Sequence, residues 1–271
     1  MNKAIVTSLW LSKILSHPDL IILNASQKPI TSNKTNLNEK LRIKGARYFD
    51  LKNNFSDKAS DLPNTLPNAA QFELECQKLG INQSSIIIVY DNLGIYSSPR
   101  VWWMLKTMGH QNVFVLNGGF PDWIKNNYPT EEVLPQQFKI GNFKAQLNSE
   151  NVKDYDFIKS NLNNENEIII DARSSGRFNG TAPEPRENLK SGNIPNSLNI
   201  PFGDVLDNGK FKSKGELTKI FSKINPENKN LIYSCGSGLT ACIILLAGKL
   251  VLANKTAIYD GSWTEWAQIE E

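Results

Sequence analysis

The sequence predicts an α/β protein of two tandem domains, each a central parallel β-sheet flanked by helices. Its 271 residues, 40% of them hydrophobic, are enough for two hydrophobic cores. Short apolar runs at 86–90 and 167–170 fit strands that are buried on both faces, as the strands of parallel sheets are. Segments of helical pattern lie between such runs, and this alternation is typical of parallel α/β architecture.

Four segments of the first half recur in the second half, in the same order and at a nearly constant spacing. Because such a step over four segments is rare by chance, each half is predicted to be one domain of the same fold. The domains are predicted at 1–130 and 150–271, and the prolines and charges of 131–149 indicate a linker. The corresponding positions are Asn24 with Asp171, Gly45 with Asn196, Asp91 with Cys235, and Trp123 with Trp266.

Local signals place three of the helices. The segment 67–79 carries Phe72 and Cys76 on one apolar face and stops at Gly80, as expected of a left-handed helix end. A second helix is predicted to begin with Ser98 as its N-cap and Pro99 in its first turn. The apolar segment 241–250 predicts a third helix.

Composition excludes several classes of function. A net charge of +3 without a long lysine or arginine run argues against a nucleic-acid partner, and the apolar runs are too short for a membrane helix. The chain starts without the apolar stretch of a signal peptide and its three cysteines cannot all pair, so a reducing, cytoplasmic location is expected. With two histidines and no CxxC motif, neither a metal site nor a Ser-His-Asp triad is expected.

Cys235 carries the chemical signal of the sequence. It follows the apolar strand pattern LIYS and precedes GSGLT and a helix, so its sulfur is expected among backbone N–H groups near a positive helix end. That environment stabilises a thiolate and can hold a transferred anion. We assign Cys235 and Ser237 as candidate catalytic residues, and as candidate binding residues of the same loop Gly236, Gly238, Leu239 and Thr240.

This cysteine has two other possible roles. A lone cysteine at a strand end is most often a small buried hydrophobe, and only the glycine-rich context favours chemistry here. A cysteine phosphatase needs an arginine at the sixth position after its cysteine to grip phosphate. That position is Ala241, which removes the phosphatase interpretation.

Arginine is scarce beside lysine, yet three of the six arginines lie in one short segment: Arg173, Arg177 and Arg186. Because a guanidinium group binds a carboxylate with two hydrogen bonds, this cluster is a candidate anion site. Surface ion pairing is the commoner role of an arginine, so position alone leaves both roles open.

Together these motifs resemble the tandem-domain rhodanese-family sulfurtransferases, most closely the 3-mercaptopyruvate type. The resemblance covers nearly the whole chain and rests on CGSGLTA, GRFNGTAPEPR, NIPNSLNIPF, YDGSWTEW and SSPRVWWMLKTMG. It implies two rhodanese-like domains, of which only the second carries the cysteine. In this family the cysteine takes a sulfur atom from a donor as a persulfide and passes it to a thiol, such as that of thioredoxin, or to cyanide, without metal or organic cofactor.

Carried over residue by residue, the resemblance implies that Cys235 is the nucleophile and persulfide carrier. It implies that Arg177 and Arg186 hold the carboxylate and carbonyl of the donor, whereas Arg173 is expected to be structural. Asp91 stands at the counterpart of Cys235 in the first half, and a carboxylate there cannot hold sulfane sulfur. The first domain is therefore expected to be non-catalytic.

The loop also indicates the donor. Thiosulfate-type rhodaneses place two basic residues directly after the cysteine, whereas this chain has Gly236 and Ser237. A neutral loop favours a donor whose single carboxylate is held elsewhere, and 3-mercaptopyruvate fits that description. Thiosulfate as donor, and a weakly active sulfur-relay or binding module, remain the alternatives.

One stretch of the first half departs from the family. The mercaptopyruvate type usually presents an aspartate and a histidine that assist proton movement with the loop serine, but the matching positions here are Lys52 and Asn64. An extra residue in this stretch leaves Asp50 or Asp61 as possible replacements. Since persulfide formation needs chiefly a thiolate and a good leaving group, the departure bears on rate and proton route.

The other distinctive residues receive packing roles. Arg100 is expected to tie the domains together, and the tryptophans, Cys76 and Cys242 are expected in hydrophobic cores. No role is assigned to His17 or His110.

Overall fold

The computed structural model describes residues 4–27, 40–225 and 227–270. Contacts divide the chain into two compact units. The first unit comprises Met1–Lys58, Leu66–Leu147 and Asn208–Lys210, and the second comprises Ala59–Thr65, Asn148–Asp207 and Phe211–Glu271. The predicted domain bounds stay a prediction. Unlike the predicted first domain, the first unit does not include residues 59–65, which cluster with the second unit.

The first unit is built on a five-stranded parallel sheet of order β1-β6-β5-β2-β4. A small antiparallel pair, β3 with β7, accompanies it. Its strands are β1 (Ile5–Val6), β2 (Leu20–Asn24), β3 (Leu41–Ile43), β4 (Arg47–Tyr48), β5 (Ile86–Tyr90), β6 (Val113–Leu116) and β7 (Thr130–Glu132), and its helices are α1 (Ser8–Lys13), α2 (Ala69–Lys78), α3 (Ser98–Thr107) and α4 (Gly119–Lys125).

The second unit repeats this topology with a parallel sheet of order β10-β9-β13-β14-β8. Its strands are β8 (Val152–Lys153), β9 (Glu167–Asp171), β10 (Leu198–Asn199), β13 (Asn230–Ser234) and β14 (Thr256–Tyr259), and its helices are α5 (Tyr155–Ser160), α6 (Ser175–Phe178), α7 (Lys214–Ile224), α8 (Ala241–Lys249) and α9 (Ser262–Ile269). The strands β11 (Leu206–Asp207) and β12 (Lys210–Phe211) form a separate two-stranded sheet. The predicted fold class is confirmed.

The two hydrophobic cores use equivalent positions. In each core, two adjacent inner strands contribute one isoleucine each, and the last helix of the repeat contributes a tryptophan. The spacing between partners is the spacing of the repeated segments, so the same fold is used twice. The matched core residues are Ile22 with Ile169, Ile43 with Ile194, Ile88 with Ile232, and Trp123 with Trp266.

Helix ends agree with the sequence except at α3. Helix α2 begins after Asn68, whose side chain caps Gln71, and is followed by Gly80 at φ 67°. The prediction of Ser98 as the N-cap of α3 is wrong: Ser97 is the N-cap and makes no side-chain capping bond. The hydroxyl of Ser98 instead donates to the carboxylate of Asp91, at 2.6 Å, because that buried acid outcompetes the helix end.

In the parts of the chain that the structure describes, no helix is long and apolar enough to cross a membrane. Within the same parts, no group of three or more histidine, cysteine, aspartate or glutamate side chains could hold a metal ion. All three cysteines are buried and none of them forms a disulfide.

Candidate active site

Cys235 lies at the carboxyl end of β13, the central strand of the second sheet. Ligands of open parallel sheets bind outside the carboxyl ends of the strands, so this is where the topology places chemistry. The loop from Cys235 to Thr240 curls from the strand into α8, with Gly238 at φ 72°. Cys235 is only 2% exposed, so the residue is shielded from solvent.

The start of α9 holds the loop from one side. The Oγ atom of Ser262 accepts hydrogen bonds from the backbone N–H groups of Cys235 (3.2 Å) and Gly238 (3.1 Å), and donates to the carbonyl of Tyr259. The N–H of Trp263 donates to the carbonyl of Cys235 at 2.9 Å, and Thr264 donates to the carbonyl of Gly236. These bonds set the backbone of the loop before any ligand arrives.

Two arginines converge on Gly236, the residue after the cysteine. A Cβ atom at Gly236 would lie 3.1 Å from a guanidinium nitrogen of Arg177 and 3.3 Å from one of Arg186. Both distances are tighter than ordinary contacts, so the missing side chain is what lets both guanidinium groups approach the loop. The structure therefore brings together the cysteine and the two arginines that the sequence assigned to donor binding.

Arg177 is oriented by a buried acid. It lies on α6, and Glu184 accepts its Nε at 3.1 Å and one of its NH groups at 2.5 Å. The side chain of Glu184 is fully buried, whereas that of Arg177 keeps 18% of its surface exposed. The pair leaves one edge of the Arg177 guanidinium available beside Gly236.

Arg173 holds Glu184, the acid that orients Arg177, from within the protein interior. Its side chain is fully buried and pairs with Asp171 at 2.6 Å and with Glu184 at 2.7 Å. It also donates to the carbonyl of Gly192, and its guanidinium stacks over the ring of Trp263 at 4.4 Å. Because it holds Glu184 and contacts the start of α9, Arg173 links the arginine cluster to the loop.

The side chain of Ser237 contacts both Arg186 and Asn64. Its Oγ atom accepts a hydrogen bond from Arg186 at 3.1 Å and another from the side-chain amide of Asn64 at 2.9 Å. Asn64 belongs to the 59–65 segment of the second unit and has φ 62°, a left-handed conformation that asparagine tolerates well. The asparagine that departs from the family pattern thus touches the loop serine directly.

The remaining loop residues take less direct positions. Leu239 is 9% exposed and packs into the core beneath the loop. Thr240 is the N-cap of α8 but makes no side-chain capping bond. The thiol of Cys242, the second residue of α8, donates to the carbonyl of Gly238.

The first unit fills the equivalent loop with its own carboxylate. Asp91 follows β5 as Cys235 follows β13, and it is 1% exposed. Its oxygens accept the backbone N–H groups of Leu93, Tyr96, Ser97 and Ser98, at 2.8 to 3.1 Å. The anion cradle that this fold builds at a strand end is occupied internally here.

We expect Asp91→Ala to destabilise the first unit by about 2–4 kcal/mol, because it leaves the buried N–H groups of Ser97 and Ser98 without this acceptor. Chemical denaturation would measure the loss. Asp19→Ala, which removes an exposed aspartate of the same unit, is the control. Equal stability of the two variants would contradict the structural role of Asp91.

Other expected residues lie in ordinary environments. Lys52 and Asp61 are exposed. The carboxylate of Asp50 accepts hydrogen bonds from the backbone N–H and the side-chain amide of Asn53. Burial, followed by the nearby Glu75, raises the pKa of the Cys76 thiol well above its usual value, so Cys76 is an inert core thiol.

Arg100, two neighbouring tryptophans and both histidines belong to the first unit. Arg100 is fully buried and stacks over Trp103 at 4.5 Å, and Trp102 is buried as well. His110 is buried, with a ring nitrogen 2.9 Å from the carbonyl of Ser85, while His17 is exposed.

Sequence reasoning assigned no role to Glu184, Ser262 or Thr264. Glu184 stands inside the same GRFNGTAPEPR segment as two of the arginines, and an acid between two scarce cations was the available signal. Ser262 and Thr264 belong to the repeated YDGSWTEW segment, whose small hydroxyl residues precede the core tryptophan. Neither signal says which backbone groups these side chains would bind.

Comparisons with known proteins agree with this architecture. A model of the rhodanese-like domain matches residues 10–126 and 154–269. The chain is 36% identical to the mouse 3-mercaptopyruvate sulfurtransferase over 97% of this chain and 92% of that one. It is 37% identical to the rat thiosulfate sulfurtransferase over 98% of this chain and 92% of that one.

A solved structure is similar over its full length. The crystal structure of SseA from Escherichia coli, described with the 3-mercaptopyruvate sulfotransferases, superposes with a TM-score of 0.85 at 33% sequence identity. The match covers 97% of this chain and 99% of that one. The two domain matches, the relatives and the shared fold lead to one conclusion: this chain belongs to the rhodanese family and carries two rhodanese-like domains.

Proposed function

We propose that this protein is a sulfurtransferase that takes sulfur from 3-mercaptopyruvate through a persulfide on Cys235 and releases pyruvate. The observation that carries the proposal is the convergence of Arg177 and Arg186 on Gly236, next to the buried cysteine. Two guanidinium groups suit the carboxylate and carbonyl oxygens of a 2-oxo acid. The relatives named above, including the E. coli structure, support the same reaction class.

The transfer step balances without an added oxidant. The Cys235 thiolate attacks the sulfur of the donor, a sulfur–sulfur bond forms, and the carbon–sulfur bond breaks. The released electron pair stays on the three-carbon fragment as the enolate of pyruvate, which takes one proton to become pyruvate. The donor's thiol hydrogen remains on the transferred sulfur, so Cys235 ends as a persulfide.

Arg177 and Arg186 serve the leaving group in this step. Negative charge grows on the oxygen of the enolate as the carbon–sulfur bond breaks, and preorganised cations beside that oxygen lower the barrier. Glu184 restricts Arg177 to one orientation, so little reorganisation is needed when the charge develops.

The acceptor regenerates the thiol. A dithiol protein such as thioredoxin would attack the outer sulfur, release it as hydrogen sulfide and leave a disulfide on the acceptor, whereas cyanide would leave as thiocyanate. Three cysteines without a disulfide support a reducing compartment, such as the cytoplasm, for a chain that works through thiols.

Thiosulfate is the second candidate donor, since the rat relative that bears that name is as similar to this chain as the mercaptopyruvate enzymes are. The residues after the cysteine argue against it. Gly236 and Ser237 bring no charge of their own to a doubly charged donor. Donor preference is therefore a matter for direct measurement.

We expect kcat/KM to be at least about tenfold higher with 3-mercaptopyruvate than with thiosulfate. We further expect Arg186→Gln to lower kcat/KM with 3-mercaptopyruvate by about 100-fold, because one charged donor to the reacting fragment is lost. Initial rates of pyruvate or thiocyanate formation with cyanide as acceptor measure both effects.

The control is Lys144→Gln, which removes one positive charge from an exposed ion pair with Glu73 and leaves the loop intact. Its kinetics should match the unmodified enzyme. A higher kcat/KM with thiosulfate, or an Arg186→Gln enzyme as fast as the control, would overturn the assignment of the donor or of Arg186.

A further inference from the structure

The hydroxyl of Ser237 has both of its accepting positions occupied. A serine hydroxyl can donate one hydrogen bond and accept two. Here Arg186 donates to Ser237 Oγ at 3.1 Å and Asn64 donates at 2.9 Å. Because both lone pairs are used, the hydrogen-bonding capacity left to Ser237 is that of its O–H group, which can only donate.

Both hydrogen bonds to Ser237 come from groups whose donor character or orientation is fixed. The guanidinium of Arg186 has only donors and stays charged at every physiological pH. Asn64 sits in a turn whose own side chains hold it: Ser60 Oγ and Thr65 Oγ1 are 3.0 Å apart, Ser60 Oγ accepts the N–H of Leu62, and Thr65 donates to the carbonyl of Leu62. The direction of the Asn64 amide is thus set by a preformed turn.

We propose that Asn64 is a positioning residue that, with Arg186, holds the Ser237 hydroxyl as a hydrogen-bond donor to the oxygen that becomes negative when pyruvate leaves. This inference rests on the proposed function. Ser237 is the catalytic residue in this arrangement, and Asn64 acts through it. An amide does not ionise in the working pH range, so this chain orients its loop serine and does not relay a proton through residue 64.

The test reverses the polarity of Asn64 with little change of shape. Asn64→Asp keeps the side-chain size and tolerates positive φ, but a carboxylate only accepts hydrogen bonds and so would draw the Ser237 hydrogen toward itself. We expect kcat with 3-mercaptopyruvate to fall about tenfold, which is less than the loss of a direct donor.

The new negative charge is separated from the orientation effect by a double-mutant cycle with Ser237→Ala. If Asn64 acts through the hydroxyl, Asn64→Asp should change kcat by less than about twofold when Ser237 is already alanine. An equal loss in both backgrounds would assign the effect to charge and overturn the proposal, as would no loss in the Ser237 enzyme.

Two further measurements keep the outcome interpretable. Asn127→Asp, at an exposed asparagine with φ 54°, reports the general cost of this substitution in a left-handed conformation and should leave kcat unchanged. Mass spectrometry of the unmodified enzyme with 3-mercaptopyruvate tests the proposed function by itself. If Cys235 gains no sulfur there, the function fails; if it does and the cycle shows no coupling, only the inference about Asn64 fails.

Discussion

Cys235→Ser is expected to abolish sulfur transfer, with kcat lower by at least about 10³-fold, because a serine hydroxyl cannot be the sulfur nucleophile. The substitution replaces one small atom in a loop whose backbone is already held by Ser262 and Thr264, so the fold should survive. Incubation with 3-mercaptopyruvate followed by mass spectrometry measures the effect. The unmodified chain should gain one sulfur atom that a thiol removes, and the variant should gain none.

The other two cysteines provide matched controls. Cys242→Ser keeps a donor to the carbonyl of Gly238, and Cys76→Ala removes a buried thiol of the first unit. Both variants should still gain the sulfur atom. A thiol-labile sulfur on Cys235→Ser, or loss of the adduct in Cys242→Ser with the fold intact, would place the persulfide on another residue.

Arg173→Gln is expected to destabilise the second unit by about 3–5 kcal/mol. The substitution removes the cation that Asp171 and Glu184 share, and both carboxylates are buried to within 2% of full burial. Asp171 would be left as a buried charge without a cation, and Glu184 would keep only Arg177. An uncompensated buried charge costs far more than a missing side chain. Urea denaturation followed by limited proteolysis, which shows which half of the chain is cut first, measures the loss.

Arg47→Gln is the comparison for this variant. Arg47 stacks over Phe138 in the first unit and donates to the carbonyl of Leu79, but no buried carboxylate depends on it among its described contacts. We expect a smaller loss, confined to the first unit. If Arg173→Gln cost no more than this control, the buried ion network would not be a supporting element of the site.

The sequence predicted the repeated architecture because the hydrophobic pattern of each strand reports its own burial. The runs at 86–90 and 167–170 became inner strands β5 and β9, and the matched isoleucines and tryptophans fill equivalent cores. Gly80 follows the end of α2 in the left-handed conformation, as predicted, because this way of ending a helix depends only on the local backbone. The error at Ser98 has the opposite cause: a buried acid seven residues earlier, Asp91, took the hydroxyl.

By itself, the sequence determined that one fold is used twice, that Cys235 follows a strand and precedes a glycine-rich loop, and that three of the scarce arginines lie in the same half. The family resemblance separated Arg177 and Arg186 from Arg173, but only the tertiary structure showed the contacts: Arg177 and Arg186 approach Gly236, while Arg173 pairs with two buried acids. It also showed that the Asn64 amide donates to Ser237, 173 residues away. Periodicity and capping act between near neighbours, whereas the direction of a side-chain hydrogen bond depends on groups that only the folded chain brings together.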